Sequence, residues 1–139
     1  MKLFLDSSVV LAACGRATGA SRAIFEMSQQ HGWTLQTSSY VISEVTANLP
    51  RLDVPPGTFD ALRTKLESVP DVVSFGWAAI VAPAKDRPIL FTAAAWSDVL
   101  LTLDRHDFID LLGAEFYGFS RPGISYSSSA RLGSYDPLF

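Results

Sequence analysis

Cysteine is nearly missing from this chain: Cys14 is the only one in 139 residues, so no disulfide can form within it. A domain of this size has to be held by its core, and 139 residues is enough to bury one. One unpaired cysteine fits a reducing compartment. Positive charge is also short. Eleven Lys and Arg stand against fourteen Asp and Glu, a net charge of −3. That argues against a general nucleic-acid binder, which is usually basic. It leaves room for an enzyme acting on nucleic acid, because bound cations offset an acidic site. Long hydrophobic runs are absent, and nothing approaches the roughly 20 apolar residues of a bilayer span. Leu11-Ala12-Ala13-Cys14 behind Met1-Lys2 has the form of a lipoprotein cleavage box. Yet Asp6-Ser7-Ser8 breaks the apolar core that such a signal requires. The expectation is a cytoplasmic protein. The two histidines, His31 and His106, lack zinc-site spacing; His31 reads as surface and His106 as close to a site built by other residues.

What is there alternates between short apolar runs and helical patterns. Residues 2–5 read as a buried strand ending at Asp6, and 9–13 as a helical turn after it. Residues 21–30 carry Ala23, Ile24 and Met27 at helical spacing, and 33–36 form a second strand. Thr37-Ser38-Ser39 offers caps for a helix over 39–48, which Pro50 stops. A further helix is expected over 59–69, with Leu62, Leu66 and Val69 as its stripe. Strand boundaries within 71–82 are not legible. A short alanine-rich helix over 86–95 precedes the clearest strand, 99–103. A helix from 108–112 and a strand at 115–119 close the pattern. From Ser120 glycine, serine and proline dominate, so 120–139 is expected to be an irregular tail, packed on the 1–119 domain or on a partner. Strands alternating with helices imply an α/β fold, a short central parallel sheet covered on both faces.

Four acids punctuate this pattern: Asp6, Glu44, Asp86 and Asp104. Asp6 and Asp104 each follow an apolar strand, and ligands gather beyond the carboxyl ends of such strands near the switch in strand order. Glu44 lies in one helix between Ile42 and Val45, and Asp86 opens another. Converging carboxylates are costly unless a cation sits among them, which points to a divalent-metal site. Each acid also has a plainer reading. Asp6 can cap a helix, Glu44 can face solvent, Asp86 can answer the helix macrodipole, and Asp104 can serve a turn. Four such coincidences at these places are less plausible than one site. Oxygen-only ligation suits Mg2+ or Mn2+.

The stretches Phe4-Leu5-Asp6-Ser7-Ser8-Val9-Val10, Ser39-Tyr40-Val41-Ile42-Ser43-Glu44-Val45, the alanine-rich helix behind Asp86, and Asp98 through Phe108 together resemble the four motifs of the PIN-domain nucleases. The resemblance runs from Met1 to about Phe119 and leaves the tail unexplained; Pro88 and residues 71–84 depart from the pattern. It implies a PIN-like domain that hydrolyses phosphodiester bonds of single-stranded RNA with one or two Mg2+ or Mn2+ ions. Catalytic and metal-ligating roles fall on Asp6, Glu44, Asp86 and Asp104. Asp107 and Asp98 are rivals for the last acidic position: it shifts within the family, so Asp107 replaces or assists Asp104, while Asp98 reads better as part of the turn before the strand. Ser7 and Thr102 are candidates to hold a carboxylate or a bound water. Arg16, Arg22, Lys85, Arg87 and Arg105 flank the motifs and are candidate phosphate contacts, though ordinary solvation is the plainer fate of each. Trp33, Trp77 and Trp96 are able to stack bases, with burial the better reading of Trp33. Small bacterial PIN proteins are often toxins of toxin–antitoxin pairs, which implies an antitoxin partner and a homodimer. The alternative is an inactive PIN-like module that binds RNA or protein. A phosphatase or phosphotransferase with a nucleophilic Asp6 ranks last, because its usual second acid two residues on is here Ser8.

Overall fold

The computed structural model describes residues 1–72 and 84–104, and the backbone of 125–128. The sheet begins with β1 (Lys2–Leu5), followed by α1 (Ser7–Gly15) and α2 (Ala20–His31). Then come β2 (Thr34–Ser38), α3 (Ser39–Asn48), a 3-10 turn (Leu49–Arg51), α4 (Thr58–Arg63) and β3 (Glu67–Val69). After them α5 (Arg87–Trp96) leads into β4 (Val99–Thr102), and β5 (Ser125–Ser128) forms the far edge. Strand order is β3-β2-β1-β4-β5, every pairing parallel. The expected α/β architecture is therefore present, and the order reverses between β1 and β4.

Successive side chains of a strand point to opposite faces. Leu3, Phe4 and Leu5 are all completely buried, and so, nearly, are Val99, Leu100 and Leu101. Both faces of the central strands are thus covered. Each such side chain contributes about 1.5–3 kcal/mol over leaving it in water, so β1 and β4 are firmly anchored in the core. Residues attached to their ends inherit that fixity. Among the described residues no helix is long and apolar enough to cross a membrane.

Helix ends follow local chemistry. Asp6 caps α1 by accepting from the Ser7 amide. Gly32 ends α2 in the left-handed region at φ +65°, where its amide and that of Trp33 return to Gln29 and Ser28. Asp71 reaches back to the Tyr40 amide at 3.2 Å and so caps α3 from a distant segment.

Several expectations need correction. The helix after β1 is not confined to 9–13 but runs Ser7–Gly15, because Asp6 starts it. The single helix expected over 59–69 does not exist. α4 stops at Arg63, Lys65 and Leu66 return to Leu62 and Arg63 in tight turns, and residues 67–69 find backbone partners on β2. Leu62 and Val69 do enter the core, one from a helix and one from a strand, so their helical spacing misled. Asp86 is the cap of α5 rather than its first residue, which puts Pro88 in the first turn, where no amide partner is needed. Within the stretch expected to be irregular, Ser125–Ser128 extends as a strand beside β4. The helix read at 108–112, the strand at 115–119 and residues 73–83 lie outside the described residues.

Candidate active site at the switch point of the sheet

Register brings the first two groups together. β1 pairs with β4 through Leu3 with Val99, Phe4 with Leu100 and Leu5 with Leu101, so the next rung sets Asp6 beside Thr102. The Asp6 amide donates to the Leu101 carbonyl at 3.0 Å, extending the ladder by that rung. The buried Asp6 carboxylate then collects donors from both strand ends. Oδ1 accepts from the Ser7 amide at 2.7 Å and the Ser7 hydroxyl at 3.3 Å. Oδ2 accepts from Ser8 Oγ at 2.8 Å and Thr102 Oγ1 at 2.6 Å. Thr102 Oγ1 in turn accepts the Asp104 amide at 3.0 Å, and Ser8 Oγ accepts the Leu103 amide at 3.0 Å. The turn after β4 is thereby tied to the turn after β1. Capping and site-building are one arrangement here.

α3 presents the second acid. Val41 and Val45 are fully buried and anchor the helix, which leaves Glu44 half-buried beside them. Burial is the main cause that pushes the Glu44 carboxyl above its ordinary range; the Ser7 hydroxyl opposes this, nearby Asp6 adds to it, and Lys85 opposes it. Ser7 therefore stands between two carboxylates. Glu44 Oε2 is buried and has no hydrogen-bond partner among the described residues.

Asp86 and Lys85 come in from the start of α5. Asp86 is buried, with Oδ2 3.9 Å from Lys85 Nζ. Tyr40, one turn before Glu44 on α3, donates its hydroxyl to the Lys85 carbonyl at 2.7 Å. The Tyr40 phenol is pushed up by burial first, then by Glu44 and Asp86, with Lys85 opposing. Those influences put Tyr40, Glu44, Lys85 and Asp86 in one neighbourhood.

The remaining expected residues divide clearly. Lys85 is at the site. α1 begins at the site and runs away from it, so its nine residues carry Arg16, just past its end, about 13 Å along the axis, while Arg22 belongs to α2. Arg22 Nε is committed to the Ala13 carbonyl at 2.8 Å. Arg87 is exposed in the first turn of α5. Arg105, His106 and Asp107 lie outside the described residues, as does Trp77. Asp98 exchanges hydrogen bonds with Lys2 at the other end of the sheet, so it is a turn residue and not a rival acid. Trp33 is half-buried and stacks on His31 with ring centres 4.7 Å apart. Trp96 gives its indole N–H to the Pro70 carbonyl at 3.0 Å. Two contributors were not foreseen, Ser8 and Tyr40. A hydroxyl residue two places after the strand-ending aspartate, and a tyrosine one helical turn before the glutamate, were the available signals.

The donor set is all oxygen, which suits a hard divalent cation, and the unpartnered Glu44 oxygen is the kind of atom such a cation satisfies. Among the described residues, however, no group of three or more His, Cys, Asp and Glu side chains is gathered closely enough to hold a metal ion. Asp6 is meanwhile supplied with donors on both oxygens, the Ser7 hydroxyl being the longest contact and the least costly to give up. The arrangement is two coupled acids, Asp6 and Glu44, flanked by Asp86 and by the backbone of Asp104.

No family model matches this chain, and no curated protein matches it in sequence. Its fold is similar to that of a chain in the crystal structure of VapBC2 from Rickettsia felis bound to a DNA fragment from their promoter. The TM-score is 0.59 and the identity 16%, over 78% of this chain and 92% of that one. At that identity the likeness shows the fold.

Proposed function

We propose that this chain is a metal-dependent endoribonuclease that hydrolyses single-stranded RNA, the toxin of a toxin–antitoxin pair. The observation that carries it is the neighbouring pair Asp6 and Glu44 at the switch point, with one glutamate oxygen buried and without a partner among the described residues. Fold likeness to VapBC2, captured with promoter DNA, supports the toxin–antitoxin context and a protein partner. Asp6, Glu44, Asp86 and Asp104 would hold Mg2+ or Mn2+, which when bound supplies an activated water and charge neutralisation for phosphodiester hydrolysis. Ser7, Ser8 and Thr102 fix the Asp6 carboxylate, so that it need not reorganise during turnover. Lys85 offers a cation at the rim for an RNA phosphate. Asp107 remains a rival to Asp104 for the fourth place.

A second reading has its own support. The donors already filling Asp6, and the lack of a gathered three-ligand group among the described residues, favour an inactive module that holds RNA or protein. Incubating purified protein with a mixed single-stranded RNA pool, in Mg2+ or Mn2+ and in chelator, separates the two. Asp6→Asn and Asp86→Asn run alongside to exclude a contaminating nuclease. Metal-dependent cutting lost in both variants supports the nuclease. No cutting, together with no calorimetric metal binding, moves the binding module to first place.

A further inference from the structure

A second polar site lies beside α3, on the side that carries Ser39, Ile42 and Ser43. Thr37 on β2 and Ser68 on β3 are register partners, so both side chains sit on the same face of the sheet and form a floor. Ser39 and Ser43 of α3 make one wall, one helical turn apart, and Arg63 at the end of α4 makes another. The pocket, open to solvent on one side, measures about 210 Å3, below the range of pockets for drug-sized ligands and ample for a small ion with water. Among the described residues no carboxylate lines it.

Thr37 is the telling residue. It is 1% exposed, and its hydroxyl has no hydrogen-bond partner among the described residues. A buried donor left unmade is rare in native structures and calls for an occupant. Ser43 is differently placed, because its hydroxyl already donates to the Ser39 carbonyl at 2.9 Å. The start of α3 contributes little, since Asp71 has taken the Tyr40 amide and its charge opposes an anion. Any attraction for a negative group must therefore come from Arg63, whose planar fork matches phosphate oxygens. Ile42 and Leu66 shield one side and strengthen whatever charge pairing forms there.

We propose that this pocket binds a phosphate-class oxyanion between the Arg63 guanidinium and the Thr37 and Ser68 hydroxyls. The oxyanion is either free phosphate or a phosphate of a bound RNA strand. The free-phosphate arm is independent of the nuclease reading, since none of the four acids takes part. Backbone amide NMR with inorganic phosphate should shift the resonances of Thr37, Ser39 and Ser68 saturably. Arg63→Ala and Thr37→Val should each weaken that binding by about tenfold. Thr37→Val only replaces a partnerless hydroxyl by a methyl, so loss of fold is not its expected result. A second arm measures anisotropy of a labelled single-stranded RNA in chelator. If both variants also weaken RNA binding, the source is the nucleic-acid backbone; if RNA affinity holds while phosphate binding falls, it is free phosphate. Water as the occupant leaves phosphate without saturable shifts and both variants without effect in either arm, and that result overturns the proposal.

Discussion

Thr102→Val tests whether the turn after β4 holds the Asp6 carboxylate. The substitution preserves shape and removes one hydroxyl from a side chain that is 2% exposed. Two bonds go with it: the 2.6 Å donation to Asp6 Oδ2 and the 3.0 Å acceptance from the Asp104 amide. A hydrogen bond to a charged group is worth about 1.5–3 kcal/mol, and a stranded buried donor costs about 1–3 kcal/mol. The full sum overstates the effect, because Asp6 Oδ2 keeps Ser8 and water reaches the half-exposed Asp104. We expect a loss of about 2–4 kcal/mol, with valine's strand preference returning only a fraction. Equilibrium urea unfolding reads it directly. With m near 1.5 kcal/mol/M, a 3 kcal/mol loss lowers the midpoint by about 2 M at unchanged m. Ser8→Ala should cost a similar amount, since Ser8 bridges the same carboxylate and the Leu103 amide. A Thr102→Val loss below about 0.5 kcal/mol, the level of an indifferent surface change, would refute the idea that these bonds fix the site.

Glu44→Gln should stabilise the metal-free protein near neutral pH, because the neutral amide removes a charge held against desolvation and against Asp6. A carboxyl whose folded pKa is raised binds its proton more tightly folded than unfolded, so its destabilisation is absent below the unfolded pKa and complete above the folded one. The gap between variant and wild type, followed by thermal melting in chelator, should thus open as pH rises above the ordinary carboxylate range; a gap that closes with rising pH contradicts this. Lys85→Ala should weaken RNA binding in chelator and reduce the salt slope by about 0.7, whereas Arg22→Ala should leave both unchanged while costing about 1 kcal/mol through the lost bond to Ala13. Equal effects of the two on RNA affinity would contradict the placement of the cations. Ser97→Ala should cost about 1–3 kcal/mol, because Gln36 Oε1 loses its 2.7 Å donor inside the core; a neutral result in urea unfolding would show that water replaces the hydroxyl.

The sequence made the strand ends legible and left the connections between them hidden. Asp6 could be singled out because it ends a strand, Glu44 because apolar Ile42 and Val45 flank it in its helix, and Thr102 because it is the hydroxyl residue at the end of an apolar strand. Ser8 and Tyr40 could not, since their roles depend on partners far away in the chain. Ser8 reaches Leu103 across the β1–β4 register, and Tyr40 reaches the Lys85 carbonyl across the α3–α5 junction. The failed helix over 59–69 has the same origin. Leu62, Leu66 and Val69 carry a helical period, but residues 67–69 pair with β2 instead of continuing α4. Local pattern decided which residues are buried, and long-range pairing decided in what conformation.

Fold and site are linked by the position of the reversal in strand order. Because the strand order reverses between β1 and β4, side chains from β4, α1 and α3 meet beyond the end of β1. Asp6 uses that place twice, as helix cap and as a charge that adds to the burial which chiefly raises Glu44. The two uses oppose each other. Donors that complete the cap lower the need for a cation at Asp6, while the uncompensated Glu44 oxygen increases it nearby. The Ser7 hydroxyl lies between them and can serve only one carboxylate at a time. Ser7→Ala therefore separates the readings in one step. If the acids hold Mg2+ or Mn2+, removing that donor frees an Asp6 lone pair, and calorimetric metal affinity should be kept or increased. If the cluster is only a cap and a strained glutamate, the variant should lose stability and gain no metal binding.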